Sequence, residues 1–334
     1  MSRESDEMMM RRALQLAALG RGFASPNPMV GAVIVNPQGL IAGSGWHRCC
    51  GQAHAEVNAV EDARRRISDF RDCTIYVTLE PCAHYGKTPP CARLLVECGF
   101  RRVVIGCVDP FEKVAGRGIS LLREAGIEVE TGVLEQECRE LNRRFFFAHT
   151  HRRPWVLLKW AQSADGFIAA QGGRSVRFST PAGSLLMHRE RAGVDAIMAG
   201  TGTLLADNPQ LSVRLWPHRS LRPVVIESPR LNREVRLLSD PRAIPVPRLP
   251  LPELLDRLYG EHGITSLMVE GGAAMLSSFL RGNLWQEMRV EVSPLMLHEG
   301  IEAPAVELRN LRARAIGSNI IYTKTNVSTH VKNT

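Results

Sequence analysis

His54-Ala55-Glu56, and further on Pro81-Cys82-Ala83-His84-Tyr85-Gly86-Lys87-Thr88-Pro89-Pro90-Cys91, form the stretch on which the reading of this chain turns. One histidine and two cysteines offer three ligands of the kind zinc prefers and leave one coordination position open. That is the formula of a catalytic zinc, because a structural zinc normally closes with a fourth protein ligand. Glu56 stands two residues after His54, where a carboxylate can carry protons for a metal-activated water.

The flanking residues place these groups on regular elements. Residues 74–79 (T-I-Y-V-T-L) are β-branched and apolar and read as a strand that Glu80-Pro81 ends. Cys82 then lies just past a strand end. Cys91 opens a run of helical character, and residues 54–60 read as a helix start, so that His54 and Glu56 line one rim. The order H-x-E, then P-C and C, is the zinc deaminase signature, with eight residues between Cys82 and Cys91 in place of the usual two. Its chemistry is attack of hydroxide on a ring carbon bearing an exocyclic amine, with Glu56 passing protons to the ring nitrogen and the departing ammonia. Inert buried thiols beside a surface histidine are the weaker reading, since the ordered set matches jointly. Cys73, Cys98 and Cys107 lie in apolar runs and read as core; Cys49-Cys50 is a false ligand candidate. His84, between the two cysteine ligands, either contacts substrate or fills the loop.

A chain of 334 residues suggests two domains, expected here over residues 1–150 and 151–330. A hydrophobic share of 44% and a charged share of 23% are those of an ordinary globular protein. No apolar run reaches the length of a membrane span. The first residues are polar and acidic, unlike a signal peptide. The eight cysteines show no disulfide framework, and a reducing cytoplasm is expected. The formal charge of +8 is spread over scattered arginines. It suits a phosphorylated substrate or a dinucleotide better than a nucleic acid.

The first half alternates helix and strand: a helix over residues 6–19, a strand over 30–35, the three elements around the ligands, a strand over 102–108, a helix over 119–125 stopped by Gly126, and a short strand over 127–129. This alternation predicts a layered α/β sheet with helices on both faces. The second half restarts with a strand at 155–160, after the basic, aromatic stretch 142–151. Further strands are expected at 195–198, 223–226, 266–269 and 288–292, with helices at 181–191 and 273–280. Residues 309–334 read as a last strand near 319–322 and a polar tail.

Two turns in the second half follow apolar strands. Glu270-Gly271-Gly272-Ala273 opens a helix, and Gly200-Thr201-Gly202-Thr203 leads into Leu204-Leu205-Ala206-Asp207-Asn208-Pro209. Glycine lets a phosphate approach the amides of a helix N-terminus, although a tight strand–helix turn accounts for either motif taken alone. On adjacent strands the two turns would make one cleft at the carboxyl edge of a sheet. The Rossmann fingerprint is absent, which points to a different dinucleotide fold.

Together these motifs give a specific resemblance. In the first half they are Pro26-Asn27-Pro28-Met29-Val30-Gly31, His54-Ala55-Glu56, Thr78-Leu79-Glu80-Pro81-Cys82, Gly86-Lys87-Thr88-Pro89-Pro90-Cys91, Asp109-Pro110 and Gly116-Arg117-Gly118. In the second they are Lys159, Ser163-Ala164-Asp165-Gly166, Arg191-Ala192, Asp195-Ala196-Ile197, the run 202–209, Leu211, Arg214 and Val269-Glu270-Gly271-Gly272. From about residue 6 to about residue 322 the chain resembles the bifunctional riboflavin-biosynthesis family that joins a pyrimidine deaminase to a pyrimidine reductase. The resemblance implies a cytidine-deaminase-like three-layer domain followed by a dihydrofolate-reductase-like α/β domain. It implies Zn2+ on His54, Cys82 and Cys91 with Glu56 catalytic, and NADPH as second cofactor. It places Ala161, Thr203, Asp207, Ser228, Gly272, Ala273, Ala274, Met275, Leu276, Ser277 and Ser278 against NADPH. Ser175, Arg191, Leu211, Arg214 and Glu270 would face a phosphorylated pyrimidine. A homo-oligomer is compatible with it; nucleic acid and membrane are not among its partners.

The chain departs from the family pattern in the second half. Where a Ser-x-Trp-Ile-Thr run is usual, it has Ser175-Val176-Arg177-Phe178-Ser179. Ser184 stands where an arginine is usual, and the stretch 228–262 is short. The rival reading is a tRNA or nucleobase deaminase with an appended binding domain.

Overall fold

The structure is a computed structural model that describes residues 2–83, 89–110, 116–217, 221–232 and 234–326. The chain divides into two compact units, Met1–Thr150 and His151–Thr334. His84, the Gly86-Lys87-Thr88 part of the cysteine loop and the polar tail beyond residue 326 lie outside the described residues.

The first unit opens with helix α1 (Arg3–Ala17), whose Ser2 side chain accepts the Ser5 N–H as a cap. There follow β1 (Gly31–Val35), β2 (Ile41–Trp46), α2 (Ala55–Ala63), β3 (Thr74–Leu79), α3 (Cys91–Cys98), β4 (Arg102–Cys107), α4 (Arg117–Glu124), β5 (Glu128–Thr131), α5 (Glu135–Leu141) and α6 (Arg143–His151). Among the described residues the strands form one sheet in the order β2-β1-β3-β4-β5. β1 runs antiparallel to both β2 and β3, while β3, β4 and β5 are parallel. Successive side chains of a strand point to opposite faces, and here both faces are covered. Ala32, Ile34, Ile75, Val77, Val103 and Ile105 meet α2, α3 and α4 on one side. Val33, Val35, Tyr76, Leu79 and Val104 meet α1, Cys138 of α5 and Phe146 of α6 on the other.

The strand expected over 74–79 and the helix expected to open at Cys91 form as read. The basic, aromatic stretch is helix α6, amphipathic enough to bury Phe146 and Phe147. β2 escaped the reading because its sequence, I-A-G-S-G-W, carries two glycines and so resembles a turn. Packing explains them: a Cβ on Gly45 would lie 2.4 Å from the Ala59 nitrogen and 2.6 Å from the Ala55 oxygen. Only a residue without a side chain lets α2 lie that close to the sheet.

The second unit contains β6 (Trp155–Gln162), β7 (Phe167–Ala170), α7 (Pro181–Ala192), β8 (Ala196–Met198), α8 (Thr201–Asp207), β9 (Arg222–Ile226), β10 (Ile244–Val246), α9 (Leu251–Gly260), β11 (Ser266–Glu270), α10 (Ala273–Arg281), β12 (Glu287–Val292), β13 (Gly300–Glu302), β14 (Arg312–Ile316) and β15 (Asn319–Thr325). Its main sheet runs β10-β9-β8-β11-β6-β12-β15-β14, with β13 and β7 pairing separately. The first six are parallel, β15 runs antiparallel to β12, and β14 runs antiparallel to β15. Parallel strands covered on both faces read as continuous apolar runs, which is why five of these six were legible; β10, a three-residue edge strand with a central proline, was not expected. Val156, Leu158, Leu267 and Val269 pack with α9 and α10; Leu157, Ile197, Val225 and Met268 face the other side. The stretch 228–262, short for the family, still holds β10 and α9.

A buried charge network ties α1 to the first sheet. Arg102 at the start of β4 donates to both oxygens of Asp6, at 2.8 and 2.9 Å, and Tyr76 Oη donates to Asp6 Oδ1 at 2.7 Å. Arg102 also pairs with Glu128 and Glu130 of β5. Burial alone would raise the Asp6 carboxyl, but the bonds from Arg102 and Tyr76 outweigh it and hold it below its ordinary value of 3.8. The stabilisation is therefore present above that ordinary value and is lost as pH falls through the lower folded one. Removing one partner of a buried pair costs about 3–5 kcal/mol. Asp6→Asn is expected to destabilise the first unit by that order. Hydrogen exchange of β3 and β4 amides should quicken accordingly at neutral pH, and the difference from wild type should shrink in acid.

Candidate active sites

The first site is built where two helices begin beside the end of β3. His54 is the residue that caps α2, in extended conformation (φ −72°, ψ 167°), and Glu56 sits in the first turn of that helix. Cys91 is the first residue of α3, and Cys82 lies three residues past β3. Their donor atoms lie within 4.8 Å of one another. Both sulfurs approach the same imidazole nitrogen: Nδ1 of His54 is 3.6 Å from Cys82 Sγ and 3.3 Å from Cys91 Sγ. The Cys91 backbone N–H also donates to Cys82 Sγ, at 3.3 Å. Helix N-termini carry partial positive charge and favour thiolate.

The protonation chemistry follows from the contacts. The hydrogen bond from Cys91, then that from His54, draw the Cys82 thiol well below its ordinary range against the effect of burial. Cys91, the donor of that pair, is pushed up. The bond to Cys82 raises His54. Glu56 is 3% exposed; burial, then the Cys82 thiolate, push its carboxyl up to about 7. A compact set of one imidazole nitrogen and two thiols, with a buried carboxyl beside it, fits a tetrahedral zinc that keeps one position open. Cys49 and Cys50 do not join the set. Cys73 and Cys107 are buried and Cys98 partly so.

Further residues hold this site, and two of them, His47 and Asn58, were not singled out from the sequence. His47, 3% exposed, follows β2, pairs through Nε2 with the Asn27 amide at 3.2 Å and through Nδ1 with the Ala53 carbonyl at 3.1 Å. Its ring stands edge-on to that of His54 at 5.4 Å. Asn58 donates to the carbonyls of Trp46 and Ala53, fixing the turn that leads to His54. Glu80 accepts four backbone N–H groups, from Asp109, Gly116, Gly118 and Ile119. It clamps the start of α4 against the strand end that supplies Cys82. A Cβ on Gly118 would lie 2.0 Å from the Pro81 oxygen, which explains the glycine there. Polar residues beside a recognisable motif were the available signal.

In the second unit the two glycine turns do lie on neighbouring strands, since β8 and β11 pair in parallel. They open on a cavity of about 1280 Å³. Its wall includes Ala161, Thr203, Asp207, Ser228, Gly272, Ala273, Ala274, Met275 and Ser278, and also Ser175, Arg191, Leu211 and Glu270. Gly272 has φ +74°, and a Cβ there would approach Thr203 Oγ1 to 3.0 Å. Glycine amides at the head of α10 and a cavity of this size suit a dinucleotide and a small substrate together.

Three expected positions fall elsewhere. Leu276 is wholly buried in the core, and Ser277 is not in the cavity wall, because a helix presents only one face. Arg214 is exposed outside the wall, its guanidinium on Gln210 and Ser212. Arg191 lines the cavity but is already engaged: it grips both oxygens of Glu270, at 2.7 and 2.6 Å, and donates to the Ser212 carbonyl. Burial works against the Glu270 charge, yet Arg191 prevails and keeps that carboxyl below the usual range. Lys159, opposite Glu270 in the β6–β11 register, is held below its ordinary value by burial. Arg177 stands on the cavity wall. Its neighbours are anchored by Ser179 Oγ donating to Glu291 at 2.6 Å and by Asn319 donating to the Phe178 carbonyl at 2.9 Å.

Comparison with known proteins finds a family match in each half of the chain. The model of the cytidine and deoxycytidylate deaminase zinc-binding region matches residues 3–107, and that of the RibD C-terminal domain matches residues 154–322. The riboflavin biosynthesis protein RibD of Bacillus amyloliquefaciens is 38% identical, over 90% of this chain and 87% of that protein. RibD of Escherichia coli is 35% identical, over 87% and 88%. The chain belongs to the RibD family. Among solved RibD structures, one from Acinetobacter baumannii matches with a TM-score of 0.88 at 33% identity, over 96% of this chain and 99% of that one. A Thermotoga maritima diaminohydroxyphosphoribosylaminopyrimidine deaminase/5-amino-6-(5-phosphoribosylamino)uracil reductase matches with a TM-score of 0.86, over 96% and 98%. As a RibD protein the chain is a bifunctional deaminase and reductase of riboflavin biosynthesis, with the expected cytidine-deaminase-like and dihydrofolate-reductase-like folds. The rival of a tRNA deaminase with an appended binding domain fails, because the family match runs through both halves. Among the described residues no helix is long and apolar enough to cross a membrane.

Metal analysis gives a direct check of the first site. Wild type should carry about one zinc per chain, and Cys82→Ser or Cys91→Ser should lose most of it. Full zinc retention in either variant would remove that sulfur from the coordination set.

Proposed function

We propose that the first unit hydrolyses the amino group of a diaminopyrimidinone that carries a ribosyl phosphate, and that the second reduces the ribosyl chain of the product to ribityl. The observation that carries the reading is the convergence of His54 Nδ1, Cys82 Sγ and Cys91 Sγ beside the buried Glu56. Zinc held by those three atoms supplies a hydroxide equivalent at neutral pH. Glu56 would accept one proton from the attacking water and pass it to the ring nitrogen, then take a second from the newly added hydroxyl and pass it to the amine, which leaves as ammonia as the C–N bond breaks. Its burial excludes competing solvent, and its place in the first turn of α2 ties it to the ligand His54. His47, Asn58 and Glu80 hold the backbone around the site.

In the second unit NADPH supplies a hydride when bound, and the chain aligns it with the sugar. Gly272 and Ala273 offer backbone amides to phosphate, and Thr203, Asp207 and Ser228 line the same wall. The Lys159, Glu270 and Arg191 group forms a polar floor. Lys159, with its pKa lowered by burial, can release the proton that the opening sugar ring requires. Arg191 keeps Glu270 ionised and oriented toward the sugar hydroxyls.

Incubation with the diaminopyrimidinone ribosyl phosphate, followed by product mass, tests the assignment. Without NADPH only the deaminated product should form; with it, the ribityl product. Glu56→Gln should lower ammonia release roughly 10²–10⁴-fold while zinc stays bound. The same variant should still reduce a supplied deaminated intermediate at the wild-type rate. Loss of both activities in a folded, zinc-loaded Glu56→Gln protein would contradict separate sites.

A further inference from the structure

Among the described residues five cationic side chains line the cavity of the second unit: Lys159, Arg177, Arg191, Arg230 and Arg248. Lys159 and Arg191 are buried at the Glu270 floor. The other three are exposed, and among the described residues no carboxylate pairs with them. Arg177 lies on the segment anchored at Glu291 of β12 and Asn319 of β15. Arg230 and Arg248 are at the opposite end. β9 and β10 are parallel neighbours with Ile226 beside Val246, and the Glu227 N–H donates to the Val246 carbonyl at 2.8 Å. The two chains therefore leave the sheet side by side. Arg230 follows in a turn whose N–H is held by Ser228 Oγ, and Arg248 comes two residues after β10.

In the strand order β10-β9-β8-β11-β6 this cationic edge lies two to four inter-strand spacings from the Lys159–Glu270 floor, roughly 10–19 Å at the usual spacing. The glycine turns of β8 and β11 lie between. A dinucleotide whose pyrophosphate sits at the Gly272 turn and whose nicotinamide lies toward that floor must send its adenosine half to the β9 and β10 ends. Two chemistries compete there. Glu227, also in the wall, is the type of residue that hydrogen-bonds a free ribose 2′-hydroxyl, whereas arginine accommodates a 2′-phosphate. A phosphate dianion next to a lone carboxylate is repelled; flanked by two guanidinium groups it gains charge-assisted, forked hydrogen bonds.

We propose that Arg230 and Arg248 form the 2′-phosphate subsite that makes this reductase select NADPH over NADH, overriding Glu227. This rests on the assignment of a dinucleotide to the cavity. The test is titration of the full-length protein with NADPH and with NADH, followed by nucleotide fluorescence, on wild type and on Arg230→Ala/Arg248→Ala, with thermal melting as the folding control. The double variant should bind NADPH at least about tenfold more weakly, since bonds to charged groups carry that much or more. NADH affinity should stay within about twofold. Should the double substitution prevent folding, the Arg230→Gln and Arg248→Gln single variants read the same split. Unchanged NADPH affinity, or equal loss for both nucleotides, would overturn the subsite. So would a wild type that binds both equally well, with the dinucleotide assignment left standing. A wild type that binds neither would overturn that assignment as well.

Discussion

The first unit depends on two helix N-termini being aimed at one point beside the end of β3. His54 caps α2 and Cys91 opens α3, so the ligand atoms are placed by backbone direction rather than by side-chain reach. Unsatisfied amides and the helix dipole make that point hospitable to a thiolate. They also explain why Cys82, which receives the Cys91 N–H, becomes the thiolate of the pair. The aim is set by packing. Gly45 lets α2 lie against β2, and Glu80 gathers four N–H groups to hold the neighbouring loop and α4. A strand buried on both faces cannot slip register without burying the wrong side chains, so Cys82 leaves the sheet at a defined place.

The second unit solves a related problem with charge. A cavity wall that sets Arg191 of α7 against Glu270 of β11 would be costly if either charge were unpaired. The bidentate Arg191–Glu270 contact satisfies that pair, and Lys159 stands opposite Glu270 in the strand register, which leaves a polar floor. This explains why Arg191, which chemistry alone would offer to a substrate phosphate, is occupied before any substrate arrives. The cations still exposed, Arg177, Arg230 and Arg248, stand at the cavity's two ends, where they can meet anionic groups without a desolvation penalty. Arg177 stands on a segment anchored through Ser179, Glu291 and Asn319.

What could be read from the chain alone follows physical periodicity. The strand 74–79, the helix at Cys91 and five of the six parallel strands of the second half were legible because both-face burial demands unbroken apolar runs. The ligand set was legible because coordination requires particular residue types in a particular order. β2 was hidden by its glycines, which serve packing against α2 but look like turn residues. α6 was hidden by its basic composition, although Phe146 and Phe147 carry its buried face. His47 and Asn58 were hidden because a histidine or an asparagine away from a motif has no signature until its partners are known.

The sequence by itself determined the chemistry: the His, Cys and Glu set, the two glycine turns and the family. Such motifs are local, and their residue types carry the meaning. Tertiary structure alone decided which matching residues reach the cavity. Leu276 turns into the core, Arg214 stays outside and Arg191 closes on Glu270, because these outcomes depend on helix rotation and on partners far away in sequence. Arg191 and Glu270 are seventy-nine residues apart, and no local pattern encodes their meeting. It is set by α7 and β11 packing in one unit.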